Sequence, residues 1–215
     1  MSLLQHIKWL IAQRAELIWW KRYLKNKNTY SYLNWKQAYW KQFQEKYAIH
    51  LKGNIIEIGN GPAGFFIINE KSGTSYTAID PLNTSYQSTL EIFNPNHYPQ
   101  VEFKNCTWEN FKLNKSYDTI LAFNAINHFE SLEDSIEKLA AAAQPEANIY
   151  ISTDLHRFSL LKLIFNLLPG DILHPQQFGK SAFENLILKA GLKIKSVKVH
   201  RQESIFNYTV YHITK

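Results

Sequence analysis

The stretch Ile55 to Gly64, IIEIGNGPAG, gathers three of the chain's eight glycines into six residues spaced G-x-G-x-x-G. Gly59 and Gly61 can adopt backbone angles, and allow close approaches, that a Cβ would bar, and Gly64 lets a following helix pack close on a sheet. Pro62 suits a first helical turn, where its missing N–H costs nothing. Sixteen residues beyond Gly64, Asp80 ends the next apolar run, and a carboxylate there can accept from both hydroxyls of an adenosine ribose. Loop and carboxylate together predict a site for an adenosine-containing cofactor at the carboxyl ends of the first two strands.

Such a loop needs a strand before it and a helix behind it. Strand-length apolar runs occur at 54–58, 76–79, 101–103, 118–123, 148–152, 192–199 and 204–214, with helical stretches between most of them, at 62–70, about 84–93, 132–143 and 182–190. This alternation predicts a parallel sheet with helices on both faces. Several of the first five runs are apolar throughout, as strands covered on both faces should be. Only residues 200–203 separate the last two runs, too few for a helical crossover, so these must pair antiparallel. The expected class is α/β: a seven-stranded, mostly parallel, doubly wound Rossmann-like sheet with a reversed last strand.

Two helices precede it, one over 2–26, where Leu3, Leu4, Ile7, Leu10, Ile11, Ile18 and Leu24 recur at three- and four-residue spacing, and one from about 34 to 47, with Trp35, Ala38, Tyr39, Phe43 and Tyr47 on one side. Residues 1–50 are thus expected to cap a cofactor-binding domain spanning 51–215.

Two adenosine cofactors fit the loop: a nicotinamide dinucleotide and S-adenosylmethionine. Glu57, two residues before Gly59, would repel a pyrophosphate but compensate a cationic ammonium. The reversed last strand, the absence of a second domain and the lack of a hydride-handling constellation after the fourth strand also favour the sulfonium cofactor. With these residues in view, the chain resembles class I S-adenosylmethionine-dependent methyltransferases, closest to the small-molecule group of types 11 and 12. The resemblance covers about residues 50–215 and rests on IIEIGNGPAG (55–64), YTAIDP (76–81), VEFKNCTWENF (101–111) and YDTILAFNAINHFESLED (117–134), with a looser match over 174–194.

The resemblance implies that Glu57, Gly59, Asn60 and Gly61 line the methionine part of the cofactor, that Asp80 binds the ribose and that Pro81 borders adenine. Thr107 and Trp108 would meet the adenine edge and face, and Phe123 would meet the cofactor from the end of the fourth strand. The adenine-edge position holds Thr107 where an acid is usual. Pro145-Glu146-Ala147 stands where Pro-Gly-Gly is usual.

Methyl transfer from a sulfonium is an in-line displacement, so the protein must align nucleophile and methyl, exclude water and, for a hydroxyl acceptor, remove a proton. His128, just past the fourth strand, His156, just past the fifth, and His174, in the insertion that follows, are the expected bases, all at the carboxyl-end rim where open α/β sheets bind ligands. Phe158–Gly170 reads as a compact apolar helix, serving either as core or as a lid. Cys106 reads as a small apolar filler. The expectation is a cytoplasmic enzyme methylating a small molecule, at oxygen in preference to nitrogen. The rivals are an RNA or protein methyltransferase and a cofactor-binding protein without catalysis.

Composition bounds these readings. At 215 residues the chain suits one large domain. A single cysteine excludes an intrachain disulfide, and no histidine spacing suits a metal, so none is expected. No stretch approaches the roughly 20 apolar residues of a membrane span. Residues 1–46 hold nine Lys/Arg against two acids, although the whole chain is only +6, and they contain five of the six tryptophans. Basic aromatic helices can grip nucleic acid or lie on a membrane surface. Neither is the expected partner: a solvated helix face explains the lysines equally well, and the (Asp/Asn)-Pro-Pro-(Tyr/Phe) signature of exocyclic-amine methylation is absent.

Overall fold

A computed structural model of the protein describes residues 3–69, 74–156, 178–203 and 206–215, with backbone alone for 3–10 and His156. The segment expected as an apolar helix at 158–170 lies outside the described residues. Two helices, α1 (Leu3–Leu24) and α2 (Thr29–Tyr47), precede β1 (Asn54–Ile58), β2 (Ser75–Ile79), α3 (Asn83–Thr89), β3 (Val101–Lys104), β4 (Tyr117–Phe123), α4 (Leu132–Ala142), β5 (Ala143–His156), α5 (Lys180–Lys189), β6 (Lys193–Gln202) and β7 (Phe206–Thr214).

The seven strands form one sheet in the order β3-β2-β1-β4-β5-β7-β6. The first five pair in parallel, while β7 runs antiparallel to both β5 and β6. The order turns outward in opposite directions from β1 and β4, so a crevice opens at their carboxyl ends. Ile55, Ile56 and Ile58 on β1, with Ile120, Leu121 and Ala122 on β4, are buried on both faces. One core cluster joins α2 and Phe65–Ile68 to a face of the sheet, and the other joins α4, α5 and Trp108 to the opposite face.

Three elements depart from the sequence reading. After the glycine loop the chain makes only a 3₁₀ turn, Phe65–Ile68, whose four residues are all buried; with no polar face it cannot continue as a surface helix. Helix α2 starts at Thr29, not near 34, because the Asn28 side chain accepts from the Ser31 N–H at 3.0 Å and caps it. Its inward tryptophan is Trp40, whereas Trp35 is 54% exposed. Strand β5 starts at Ala143, directly after α4, and the register jump from Tyr117↔Ala143 to Thr119↔Asn148 absorbs the Pro145-Glu146 irregularity, where Glu146 has φ +60°.

Candidate functional site

The glycine loop leaves β1 through two left-handed residues, Gly59 (φ +67°) and Gly61 (φ +56°). A Cβ on Gly59 would sit 2.5 Å from that of Ala125, two residues past β4, whereas one on Gly61 would meet nothing within 4 Å. Gly59 is therefore required by the chain leaving the neighbouring strand, and Gly61 leaves an open cradle. Gly64 serves a third purpose, since a Cβ there would lie 2.5 Å from Glu57 Oε1 and obstruct its carboxylate.

That carboxylate is buried and holds the loop from behind. The Phe65 N–H donates to Oε1 at 2.6 Å, and the Phe66 N–H and Tyr76 O–H donate to Oε2 at 3.0 and 2.8 Å. Burial pushes the Glu57 carboxyl up to about 7, opposed by these three donors and by Lys36. The sequence reading placed Glu57 against the cofactor. The structure turns it away from the cavity lining, because its oxygens are committed to the chain that follows the loop. It shapes the loop and does not line the pocket.

Asp80, at the end of β2, does face the cavity. Gly61 N–H donates to Oδ2 at 3.0 Å and Leu82 N–H to Oδ1 at 2.8 Å. Each oxygen keeps acceptor capacity beyond these bonds. Burial first, and the nearby Glu16 carboxylate second, raise the Asp80 carboxyl to about 7. Asn60 is tied by its amide nitrogen to Asn83 Oδ1 (2.9 Å) and to the Gly61 carbonyl (2.7 Å), and Asn83 in turn donates to the Lys104 carbonyl at 2.9 Å. This chain locks β1, the start of α3 and β3 together behind the cradle.

Pro81, Thr107, Trp108 and Phe123 also line the cavity. Trp108 is fixed by its indole N–H to the Ser135 carbonyl (3.1 Å) and by Lys138, whose ammonium lies 5.0 Å from the ring centroid and caps the Trp108, Glu109 and Phe111 carbonyls. Cys106, half-buried, lines the same wall, its thiol pushed up by burial. Of the three rim histidines, His128 lies on the cavity. His156 ends β5, its side chain undescribed, and His174 lies outside the described residues.

Helices α1 and α2 roof the space, giving a cavity of about 740 Å³. Trp40 donates its indole N–H to the Ala63 carbonyl at 3.0 Å and Gln37 its amide to the Ile67 carbonyl at 3.4 Å, so α2 is fastened directly to the glycine loop. Tyr86 on α3 donates to Glu16 of α1 at 2.9 Å. Lys36 lines the cavity on the same side of α2 as Trp40. Its ammonium lies 4.7 Å from the ring centroids of both Tyr39 and Trp40. Burial lowers it to about 8, opposed by Glu57. Among the described residues no carbonyl or carboxylate accepts from it.

Sequence reasoning missed Lys36, Glu16 and His200. His200, on β6, lines the cavity with Nδ1 2.8 Å from the Tyr47 hydroxyl. Burial, Lys46 and Arg201 together lower its proton affinity. The only signal for Lys36 was its place one helical turn before Trp40, and His200 carried none, since a strand edge gives no hint of which end meets a roof formed 150 residues earlier. Among the described residues no three His, Cys, Asp or Glu side chains converge as a metal site would require.

A glycine cradle and a strand-end carboxylate opening into a crevice between oppositely running crossovers define an α/β enzyme that binds an adenosine cofactor, and the reversed β7 narrows that to the class I methyltransferase architecture. The chain belongs to the methyltransferase domain family, whose model matches residues 32–197. It is an S-adenosylmethionine-dependent methyltransferase.

No curated protein matches the chain. Among solved structures it is similar to the N-methyltransferase NodS from Bradyrhizobium japonicum WM9 (10% identity, 85% of this chain and 95% of that one, TM-score 0.58). It is also similar to magnesium protoporphyrin IX methyltransferase, ChlM, from Synechocystis PCC 6803 with bound SAH (15% identity, 91% and 92%, TM-score 0.58). The [4+2]-cyclase SpnF shares the fold at 9% identity, over 83% of this chain and 80% of that one, with a TM-score of 0.64. At these identities the likeness concerns the fold.

Proposed function

We propose that the protein methylates a small molecule held between the cofactor cradle and the roof of α1 and α2. The observation that carries this reading is the roof itself. The cavity of about 740 Å³ is bounded by α1 and α2 on one side and by the sheet end on the other, a volume suited to a cofactor and a modest acceptor rather than a polymer strand.

The residues fit the cofactor. Gly61 offers the cradle that a Cβ would fill, Asp80 the buried carboxylate for a ribose diol, and Pro81, Thr107 and Trp108 a wall for the base. Lys36, an ammonium with only ring faces for company, supplies the counter-charge for the cofactor's amino-acid carboxylate. When bound, S-adenosylmethionine supplies the electrophilic methyl group. The chain's own residues then orient the acceptor and keep water out: Trp19, Trp20, Tyr39 and Trp40 close the roof, and Phe123 closes the strand-end side.

The acceptor atom is a hydroxyl oxygen in the first reading, supported by His128 and His200 on the rim as proton acceptors. An amine is the second reading, favoured by Glu16, Asp154 and the ring faces, which suit a cation. Calorimetry with S-adenosylhomocysteine, followed by labelled methyl transfer onto matched phenol and amine panels, tests both. Transfer to RNA or protein but to neither panel would overturn the small-molecule reading.

A further inference from the structure

Helix α1 is apolar on two sides. Ala12, Leu17, Trp20 and Leu24 face inward and pack on the core or bury against it. Ile11 and Ile18, two turns apart on the opposite side, are 48% and 50% exposed. Trp19 (47%) and Tyr23 (37%) bridge from this outer side to the cavity. Their rings stack at 4.9 Å, and the row continues through Tyr32 to the exposed Trp35 on α2. Scattered exposed apolar residues are ordinary in a monomer, but six of the nine large ones among the described residues fall between Ile11 and Trp35, making a patch.

Among the described side chains, the exposed charges of α1 and of the turn that follows it are of one sign. Arg14, Lys21, Arg22, Lys25 and Lys27 are all exposed there, and the one acid of α1, Glu16, points inward to the Tyr86 hydroxyl. We propose that this face docks on an anionic lipid bilayer. Basic helices bearing tryptophan and aliphatic side chains lie in the interfacial plane, with the apolar side chains inserted and the cations at the headgroups. A second copy of the chain would bring like charges together. An RNA strand would use the cations and rings but gain nothing from Ile11 and Ile18. No helix among the described residues is long and apolar enough to cross a membrane, so the docking is peripheral. Since Trp19 and Tyr23 belong to both the patch and the cavity, the mouth of the site meets the bilayer, and an acceptor with an apolar body enters from it. That last step rests on the proposed function, whereas the docking does not.

Sedimentation of the full chain with phosphatidylcholine vesicles, with and without phosphatidylserine, tests the proposal. Binding is expected only with the anionic lipid, weakening as salt rises, with a blue shift of tryptophan fluorescence. Each surface charge removed should weaken binding about fivefold, so K21Q/R22Q/K25Q together should cost roughly a hundredfold. Ile18→Asp should also lower vesicle binding while leaving S-adenosylhomocysteine affinity and the circular dichroism spectrum unchanged. No binding to either vesicle overturns the proposal. So does binding that the charge variant abolishes but Ile18→Asp leaves intact, because bare electrostatic attraction needs no apolar face. A dimer in solution that Ile18→Asp dissolves, or RNA binding without vesicle binding, assigns the patch to another partner. Unchanged cofactor affinity beside lost vesicle binding separates this failure from failure of the enzymatic reading.

Discussion

The floor and the roof of the cavity are held by different forces. The floor is a network of directional bonds between carboxylates, amides and glycine backbone, centred on Glu57, Asp80 and Asn60, with contacts of 2.6 to 3.0 Å. The roof is a run of rings meeting at centroid distances of 4.6 to 6.1 Å along α1 and α2, pinned to the floor by Trp40 and Gln37. Directional bonds fix where atoms stand, as a cofactor requires. Rings fix a volume and exclude water but tolerate rearrangement, as an acceptor pocket requires. Substitutions in the floor should therefore cost several kcal/mol or the cofactor itself, and those in the roof should cost less stability and act on closure.

The largest effect is expected at Glu57. Glu57→Ala leaves the Phe65 and Phe66 amides and the Tyr76 hydroxyl buried without their acceptor, and at about 1–3 kcal/mol for each unsatisfied group the loss should reach roughly 3–5 kcal/mol in urea unfolding. Glu57→Gln should restore part of it. A loss below about 1 kcal/mol would mean that the floor is not held as described.

Asp80 comes next, and its replacement should affect binding more than folding. Asp80→Asn should weaken S-adenosylhomocysteine by about 10- to 100-fold, as bonds to a charged acceptor are worth roughly 1.5–3 kcal/mol. The wild type should also show a pH dependence of fixed sign. Burial and Glu16 raise this carboxyl to about 7, and protonation removes acceptor capacity, so affinity should climb as pH rises through 7 and level off above 8. Glu16→Gln removes the second cause and should move the midpoint down. Asp80→Asn should flatten the profile, separating Asp80 from Glu57, which titrates in the same range. Calorimetry across pH reads all three.

These two residues also show how much was legible in the sequence. The glycine spacing, Asp80 and the strand–helix alternation are local, so the fold class, with its parallel strands and reversed last one, was legible from contiguous residues, although the strand order was not. Glu57 was read as a counter-charge for the cofactor's ammonium, whereas its oxygens accept from the Phe65 and Phe66 amides, and only the path of those residues decides which way they face. The roof was legible as two aromatic helices and no further. Which ring turns inward depends on where α2 meets the loop: the pattern put Trp35 on the packed side and left Trp40 out, yet Trp40 is the one that reaches the Ala63 carbonyl. Lys36 was hidden because its meaning comes from what surrounds it.

Lys36 tests the roof where it touches cofactor chemistry. Lys36→Met keeps the length and packing of the side chain between Tyr39 and Trp40 but removes an ammonium that burial already lowers to about 8. Two opposite effects should follow. Thermal stability should hold or rise, because a poorly paired buried charge is gone, while S-adenosylhomocysteine affinity should fall about tenfold, the low end for a charge-assisted bond. A fall in both would make Lys36 a structural residue and remove it from the cofactor's neighbourhood.

The smallest expected effect, at Trp40, bears most directly on the contrast between the two regions. Trp40 packs on Phe43, Phe65 and Phe123 at 5.4 to 5.5 Å and donates its indole N–H from the roof to the Ala63 carbonyl of the glycine loop. Trp40→Phe keeps an aromatic body in the same cluster and deletes that one bond, worth about 1 kcal/mol. Stability should fall by no more than about that, since the rings can repack. The consequence should instead appear in coupling: amide exchange over Gly59–Gly64 should quicken in the free protein and slow again with S-adenosylhomocysteine bound, while exchange in β4 and β5 stays as in wild type. If β4 exchanged faster as well, the roof would be part of the cooperative core, and the division into a bonded floor and a repacking roof would fail.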